Sequence, residues 1–350
     1  MPIDFPTSPS TGDQLVAPNG YLYFYDGTGW TTITDFQSNP TAEKAFRYRT
    51  IYTRGYLGGG YKGGTPWRNI NRTQHSTDTT SNLGDLLDRS SGYIDGGWSD
   101  YYGYLYVMNN AINQSWGGGS VTTYVSSYNM ATELSRTNDS SWNLKTNRWE
   151  PGVMINSNLT MAWISGGGST ATDKHNYVTE TMYNGGAAID NPAISAEACS
   201  TLFGQYKGWI AASAVASFEF STETWSSGGM AYNGTDGHSK ALGTKHGHGY
   251  GKNAGNTATT QVYKWNDTTG STLRTDLATP DSSGEENFQQ GQNSGYCLGN
   301  YNGVQNNNTY KVNYFTDSIT AMGSDTQPKG HDGASSAGSG SASSMLLGGL

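Results

Sequence analysis

Short runs in which apolar and polar residues alternate, each cut off by Gly, Asn, Asp or Ser, extend over most of the chain and predict brief β-strands joined by tight turns. Several of these runs come in pairs around a polar turn: NRTQHSTDTTSNLGDLL (71–87), NYVTETMYNGGAAI (176–189), ASFEFSTETWSSG (216–228), QVYKWNDTTGSTL (261–273) and YKVNYFTDSITAM (310–322). That pattern is the signature of a β-hairpin. No apolar run approaches the roughly 18 residues of a membrane-spanning helix, so no insertion into a membrane is expected.

A second pattern recurs at longer range. A small residue, a large aromatic or apolar one, a short apolar strand and then Gly, Ser or Asn appear as GYLGGG at Gly55, GYLYVMNN at Gly103, AWISGGG at Ala162, GWIAAS at Gly208, GYGKN at Gly249, GYCLGN at Gly295 and SMLLGG at Ser344. The anchors of this repeat are Tyr56, Tyr104, Trp163, Trp209, Tyr250, Tyr296 and Met345, at successive spacings of 48, 59, 46, 41, 46 and 49. A Gly- or His-containing approach, an anchor strand and an outer hairpin make a four-stranded unit, and units of about 50 residues resemble the kelch type of β-propeller. The expectation is an all-β, seven-bladed, kelch-like β-propeller. The 59-residue interval predicts an enlarged loop, around Trp116 to Gly119 or Asn138 to Asn147.

The last unit stops after its GG without an outer hairpin, whereas YLYFYDGTGWTTI (21–33) precedes any anchor. Residues 21–33 are therefore expected to complete the blade of 330–350, with Tyr23 and Tyr25 beside the strand holding Leu346. Pairing both ends would leave no open sheet edge. The domain division is then a leader over 1–20 and one propeller domain over 21–350. The competing expectation for 330–344 is a disordered Gly/Ser tail.

Composition narrows the class. Gly 48, Tyr 24 and Trp 10 with only 14% charged residues suit strands and turns and argue against a helical bundle. A net charge of −8 gives no basic footprint for nucleic acid. The start, MPIDFPTSPSTGDQ, has neither a basic leader nor an apolar stretch, so a soluble, unprocessed protein is expected. Cys199 and Cys297 fit no metal-ligand spacing; they read as buried thiols or one bridge.

Chemistry-bearing motifs are sparse. His246 and His248 alternate on one strand face, but spacing supplies no third ligand, and a structural role competes with a metal site; His175 and His331 read as turn or strand-start residues. Glu285-Glu286 and the scattered Asp26, Asp78, Asp173 and Asp267 offer no converging acid/base pair, and most read as turn residues. No phosphate loop, serine elbow or zinc-protease helix occurs. The expectation is therefore no enzyme, no catalytic residue, no metal and no cofactor. Trp67, Trp98, Tyr101, Tyr102 and Trp116 crowd the first two repeats outside the anchors; they suit either contact with a glycan or protein, or packing between blades.

The opening MPIDFPTSP…GYLYFYDGTGWTTI and the runs GYLGGGYKGGTPW, TDTTSNLGDL, YIDGGWSDYYGYLY, TDKHNYVTE, NDTTGS, NSGYCLGNYNG and QPKGHDG resemble virion structural proteins of contractile-tailed phages of marine cyanobacteria. The resemblance covers nearly the full length. It implies a non-enzymatic structural or decoration protein on the tail, neck or capsid exterior, released by host lysis, whose partners are other virion proteins or a host surface glycan. Two other readings stand beside it: a glycan-processing enzyme with its site in the propeller channel, and a fibre-forming protein without a ligand.

Overall fold

The computed structural model describes residues 5–10, 14–16, 22–25, 28–32 and, between 54 and 323, chiefly the strands and the turns that join them. The protein is all-β, with many antiparallel strands gathered in small sheets; one 3-10 turn, Ser140–Trp142, is the sole helical element among the described residues.

Six sheets follow one another in chain order. The first contains Arg54–Gly58, Asn69–Gln74 and Thr79–Asp85, with a small hairpin of Tyr61–Lys62 and Thr65–Pro66 between its first two strands. The second contains Gly97–Ser99, Tyr104–Met108, Val125–Asn129 and Leu134–Arg136; the third contains Gly152–Ile155, Met161–Ser165, Thr172–Asn176 and Thr181–Asn184. The fourth is built from Ser200–Phe203, Lys207–Ala211, Val215–Glu219 and Thr224–Ser227. Ala241–Lys245, His248–Lys252, Thr259–Asn266 and Thr272–Ser283 form the fifth. Asn287–Gln290, Ser294–Tyr301, Gln305–Asn313 and Ile319–Gly323 form the sixth. Each four-stranded sheet is an antiparallel meander. The first sheet shows the counterparts of the last three strands.

Six of the anchors fall at equivalent places. Tyr56 lies on the strand paired with Asn69–Gln74, and Tyr104, Trp163, Trp209, Tyr250 and Tyr296 each lie on the second strand of their sheet. This strand is apolar on both faces because neighbouring sheets cover both: Leu105, Tyr106, Val107 and Met108 are all buried, as are Ala162, Trp163 and Ile164. The fourth strand is the most exposed, as Leu134–Arg136 and Thr224–Ser227 show. One buried cluster joins the first three sheets, through residues such as Tyr56, Ile70, Leu105, Tyr128, Ile164 and Met182. A second cluster joins the third sheet to the fourth through Met154, Trp163, Ile210 and Phe218. At that seam the approach is so close that a Cβ on Gly208 would sit 2.5 Å from Met154 Sδ. The fourth sheet lies against the fifth, the fifth against the sixth, and Asn287–Gln290 of the sixth against Arg54–Gly58 of the first.

The wider Tyr104 to Trp163 interval holds a packed insertion rather than an open loop in its second half. The carboxylate of Asp139 caps the 3-10 turn by accepting from Ser141 N–H, and Trp142 is buried with its indole N–H donating to Val125 O. Trp116 to Gly119 lies outside the described residues.

Near the N-terminus, Gln14–Val16, Leu22–Tyr25 and Trp30–Thr32 make a separate three-stranded sheet with Leu22–Tyr25, which carries Tyr23 and Tyr25, in the centre. Phe5 stacks on Trp30 at 5.3 Å between ring centroids, and Tyr25 packs on the same indole at 5.6 Å. Of the residues before 21, Gln14–Val16 and Phe5 thus belong to this small unit. Met345, Leu346 and all of 330–350 lie outside the described residues, so the pairing of 21–33 with the C-terminal segment does too.

Candidate functional site

In each sheet except the fifth, whose turn lies outside the described residues, the fourth residue past the strand that precedes the outermost one is an acidic residue with positive φ: Asp78 (φ 56), Glu133 (φ 58), Glu180 (φ 49), Glu223 (φ 53) and Asp317 (φ 54). This left-handed conformation costs an L-residue about 1–2 kcal/mol and ordinarily selects Gly or Asn. The local sequence supports the turn. The amide oxygen of Asn129 accepts from Thr132 N–H, that of Asn176 from Thr179 N–H, and that of Asn313 from both Phe315 and Thr316 N–H. The hydroxyls flanking the acid then pair with each other, Thr77 with Thr79, Thr222 with Thr224 and Thr316 with Ser318.

The carboxylate explains why glycine is not used there: every one of the five reaches a cation on the preceding sheet. Glu133 binds Arg72 at 2.7 Å and Arg54 at 3.0 Å, Glu180 binds Arg136 at 2.6 Å, and Asp317 binds Lys264 at 2.9 Å. Glu223 pairs with Lys174. Asp78, at the start of the series, binds Lys311 of the last sheet at 2.7 Å. Four of the cations, Arg72, Lys174, Lys264 and Lys311, stand two residues before the end of the third strand of their sheet. The second sheet has Ser127 at that position, and Arg136, directly opposite it on the next strand, supplies the charge instead and donates to the Ser127 hydroxyl at 3.4 Å. The anchors reinforce the same seams. Tyr56 donates to Glu133 at 3.1 Å and to Met130 O at 2.9 Å, while Tyr296 donates to Asp78 at 2.6 Å and stacks on His75 at 5.0 Å. Trp163 likewise stacks on Phe220 in the turn of the fourth sheet, at 5.0 Å. Burial, and then the hydrogen bond to Asp78, push the Tyr296 phenol up, so it stays a donor at any ordinary pH.

Between the third and fourth sheets one of these seams opens into a cleft of about 310 Å3 lined by Met161, Lys174, Asn176, Tyr183, Asn184, Gly185 and Glu223. Tyr183 is directly opposite Lys174 in the strand register and is 44% exposed, high for an aromatic ring beside the core. Nothing in the sequence alone singled out Tyr183, Lys174 or Glu223. The usable signal was the recurrence of Thr-Glu or Thr-Asp three residues past Gln74, Asn129, Asn176, Glu219 and Asn313, with a basic residue two before that place at Arg72, Lys174 and Lys311.

Two buried groups complete the third sheet. Asp173, expected in a turn, lies on the strand Thr172–Asn176 and faces Arg148, which precedes the strand Gly152–Ile155; both side chains are fully buried, and their closest atoms are 3.4 Å apart. Asp173 also accepts from Lys145 N–H, Thr146 N–H and the Thr146 hydroxyl, while Arg148 donates to Gly166 O and Ala171 O. These bonds make the pair a structural clasp with its donors and acceptors engaged. His175, on the same strand, is buried between Tyr106 and Tyr177 with edge-to-face centroid distances of 4.6 and 5.2 Å. Loss of hydration on burial, followed by the nearby Arg136 charge, pushes its pKa down to about 3.

Of the aromatics read as contact candidates, Trp98 lies on Gly97–Ser99, where its backbone pairs with Tyr106. Trp67, Tyr101, Tyr102 and Trp116 lie outside the described residues, as do His246, Asp26, Asp267 and the Glu285-Glu286 pair. Among the described residues no three His, Cys, Asp or Glu side chains gather as a metal site. The chain matches no protein-family model and none of the curated proteins.

Proposed function

We propose that this chain is a non-enzymatic structural and attachment component of a phage virion, built as a closed ring of propeller type and carried on an N-terminal arm. The virion assignment rests on the full-length sequence resemblance. The ring rests on one observation, that Asp78 of the first sheet meets Lys311 and Tyr296 of the sixth in the way Glu133 of the second meets Arg72 and Tyr56 of the first. A contact that repeats from sheet to sheet and also joins the last sheet to the first favours six units over seven. The three-stranded sheet around Tyr23 and Trp30 then stands as the arm. A ring locked at its seams offers a rigid platform with two loop-lined faces, which suits display and binding.

The test is a deletion of residues 1–35 combined with electron microscopy of particles. The truncated protein is expected to remain monomeric with an unchanged melting temperature and to lose its place on the particle. Collapse or aggregation of the truncated protein would return the N-terminal strands to the ring, and absence of the full-length protein from purified particles would remove the virion assignment.

A further inference from the structure

All six sheets carry a cross-strand pair at this place, and its second member varies. Arg72 faces Ser81, Ser127 faces Arg136, Ser217 faces Ser226, Lys264 faces Arg274 and Lys311 faces Thr320. Only in the third sheet is that place aromatic, where Lys174 faces Tyr183. Since the other sheets manage with small or basic residues, the seam itself does not require a tyrosine.

The groups around Tyr183 converge on the cleft with complementary chemistry. Lys174 holds Glu223 Oε1, which leaves Oε2 as an acceptor beside an ammonium that still has N–H donors. Asn184 is exposed and lines the cleft, and its Oδ1 accepts from Gly186 N–H at 3.1 Å, so the bond engages the oxygen and not the amide N–H donors. A Cβ on Gly185 would lie 2.9 Å from Thr172 O, so a side chain at this place in the cleft lining would force the strands to shift. A carboxylate acceptor next to ammonium and amide donors brackets a pair of neighbouring hydroxyls, and the Tyr183 ring offers an apolar face for C–H groups. Lys174 and Glu223 cancel each other, and the chain carries a net charge of −8, so nothing in the cleft selects an anionic ligand.

We propose that the cleft between the third and fourth sheets binds a neutral pyranose unit, stacked on Tyr183 with its hydroxyls held by Glu223, Lys174 and Asn184. The inference rests on the attachment reading only for the source of the sugar, a host surface polysaccharide.

Saturation-transfer NMR of the full-length protein with the methyl glycosides of glucose, galactose and mannose and with N-acetylglucosamine tests it. At least one sugar is expected to receive transfer at its ring protons. Tyr183→Ser, which installs the residue found at the equivalent place in the first and fourth sheets, should weaken that sugar about tenfold or more at an unchanged melting temperature. Asn184→Ala should weaken it as well, and Thr320→Ala on the sixth sheet should not. No transfer to any of the four sugars, or transfer indifferent to Tyr183→Ser, overturns the proposal. A protein found on particles but blind to these sugars loses this site and keeps the virion reading; one that binds sugar through Tyr183 but is absent from particles does the reverse.

Discussion

Tyr296 donates a 2.6 Å hydrogen bond to Asp78, a residue 218 positions earlier in the chain, and the same carboxylate takes an ion pair from Lys311. Two sheets from opposite ends of the repeat are held by the device that holds neighbours together elsewhere. Individually such half-buried pairs contribute little, about 0.2–1 kcal/mol. Their value lies in register, because each carboxylate sits in a costly left-handed turn and offsets part of that cost only if the preceding sheet presents a cation at the right height.

The seam between the sixth sheet and the first should therefore show measurable coupling. Asp78→Asn keeps a residue that tolerates positive φ and removes the charge; it is expected to cost about 1 kcal/mol or somewhat more in urea unfolding. Combined with Lys311→Met or with Tyr296→Phe, the loss should fall short of the sum of the singles by about 0.5 kcal/mol or more. Strict additivity would mean that the two sheets do not meet in solution.

His175 predicts an acid-sensitive fold. Its folded pKa, near 3, lies below the ordinary value of 6.5, so between those limits the unfolded chain binds a proton that the folded protein refuses. Stability on this account is complete above pH 6.5 and falls as pH drops toward 3, by at most about 1.4 kcal/mol per pH unit. His175→Leu should flatten that limb of a stability-pH curve while acid loss from other groups persists. An unchanged slope would show that the imidazole is hydrated in the folded protein.

The Arg148 and Asp173 clasp should behave as a buried pair. Asp173→Asn strands a guanidinium inside the third sheet and is expected to cost about 3–5 kcal/mol, whereas Arg148→Met with Asp173→Leu should cost less than either single. Chemical denaturation of the three variants measures the difference. A mild Asp173→Asn would place Arg148 in contact with water.

Ser217 and Ser226 stand where other sheets carry the cation, and Gly270 follows Asn266 at the sequence spacing that separates each described turn acid from the end of its preceding strand. Installing Ser217→Lys together with Gly270→Asp is expected to raise stability by about 0.2–1 kcal/mol at low salt, with the gain fading at high salt. Either substitution alone should give no gain, and thermal melts of the three variants at two ionic strengths report the outcome. A salt-independent gain would point to the turn backbone rather than the charge pair.

Much of the local structure was legible in the amino-acid order. Strands, turns and hairpins follow from alternation and from Gly, Asn and Thr at fixed places, because these are nearest-neighbour effects of backbone sterics and side-chain hydrogen bonds. The anchor spacing marked the second strand of each sheet for the same reason, since a strand covered on both faces must be apolar throughout. The partners of those strands were not legible. Glu133, Glu180 and Glu223 look like ordinary turn acids until the preceding sheet places Arg72, Arg136 and Lys174 beneath them, and Arg136 replaces the missing cation at Ser127 only through cross-strand register. Asp173 read as a turn residue because its clasp depends on Arg148, 25 positions away, folding back over the third sheet. Tyr183 looked like one more tyrosine in a hairpin. Only the packing of the fourth sheet beside it, with Glu223 drawn across to Lys174, made its exposed ring the wall of a cleft, because a site of that kind exists between sheets and not along any one strand.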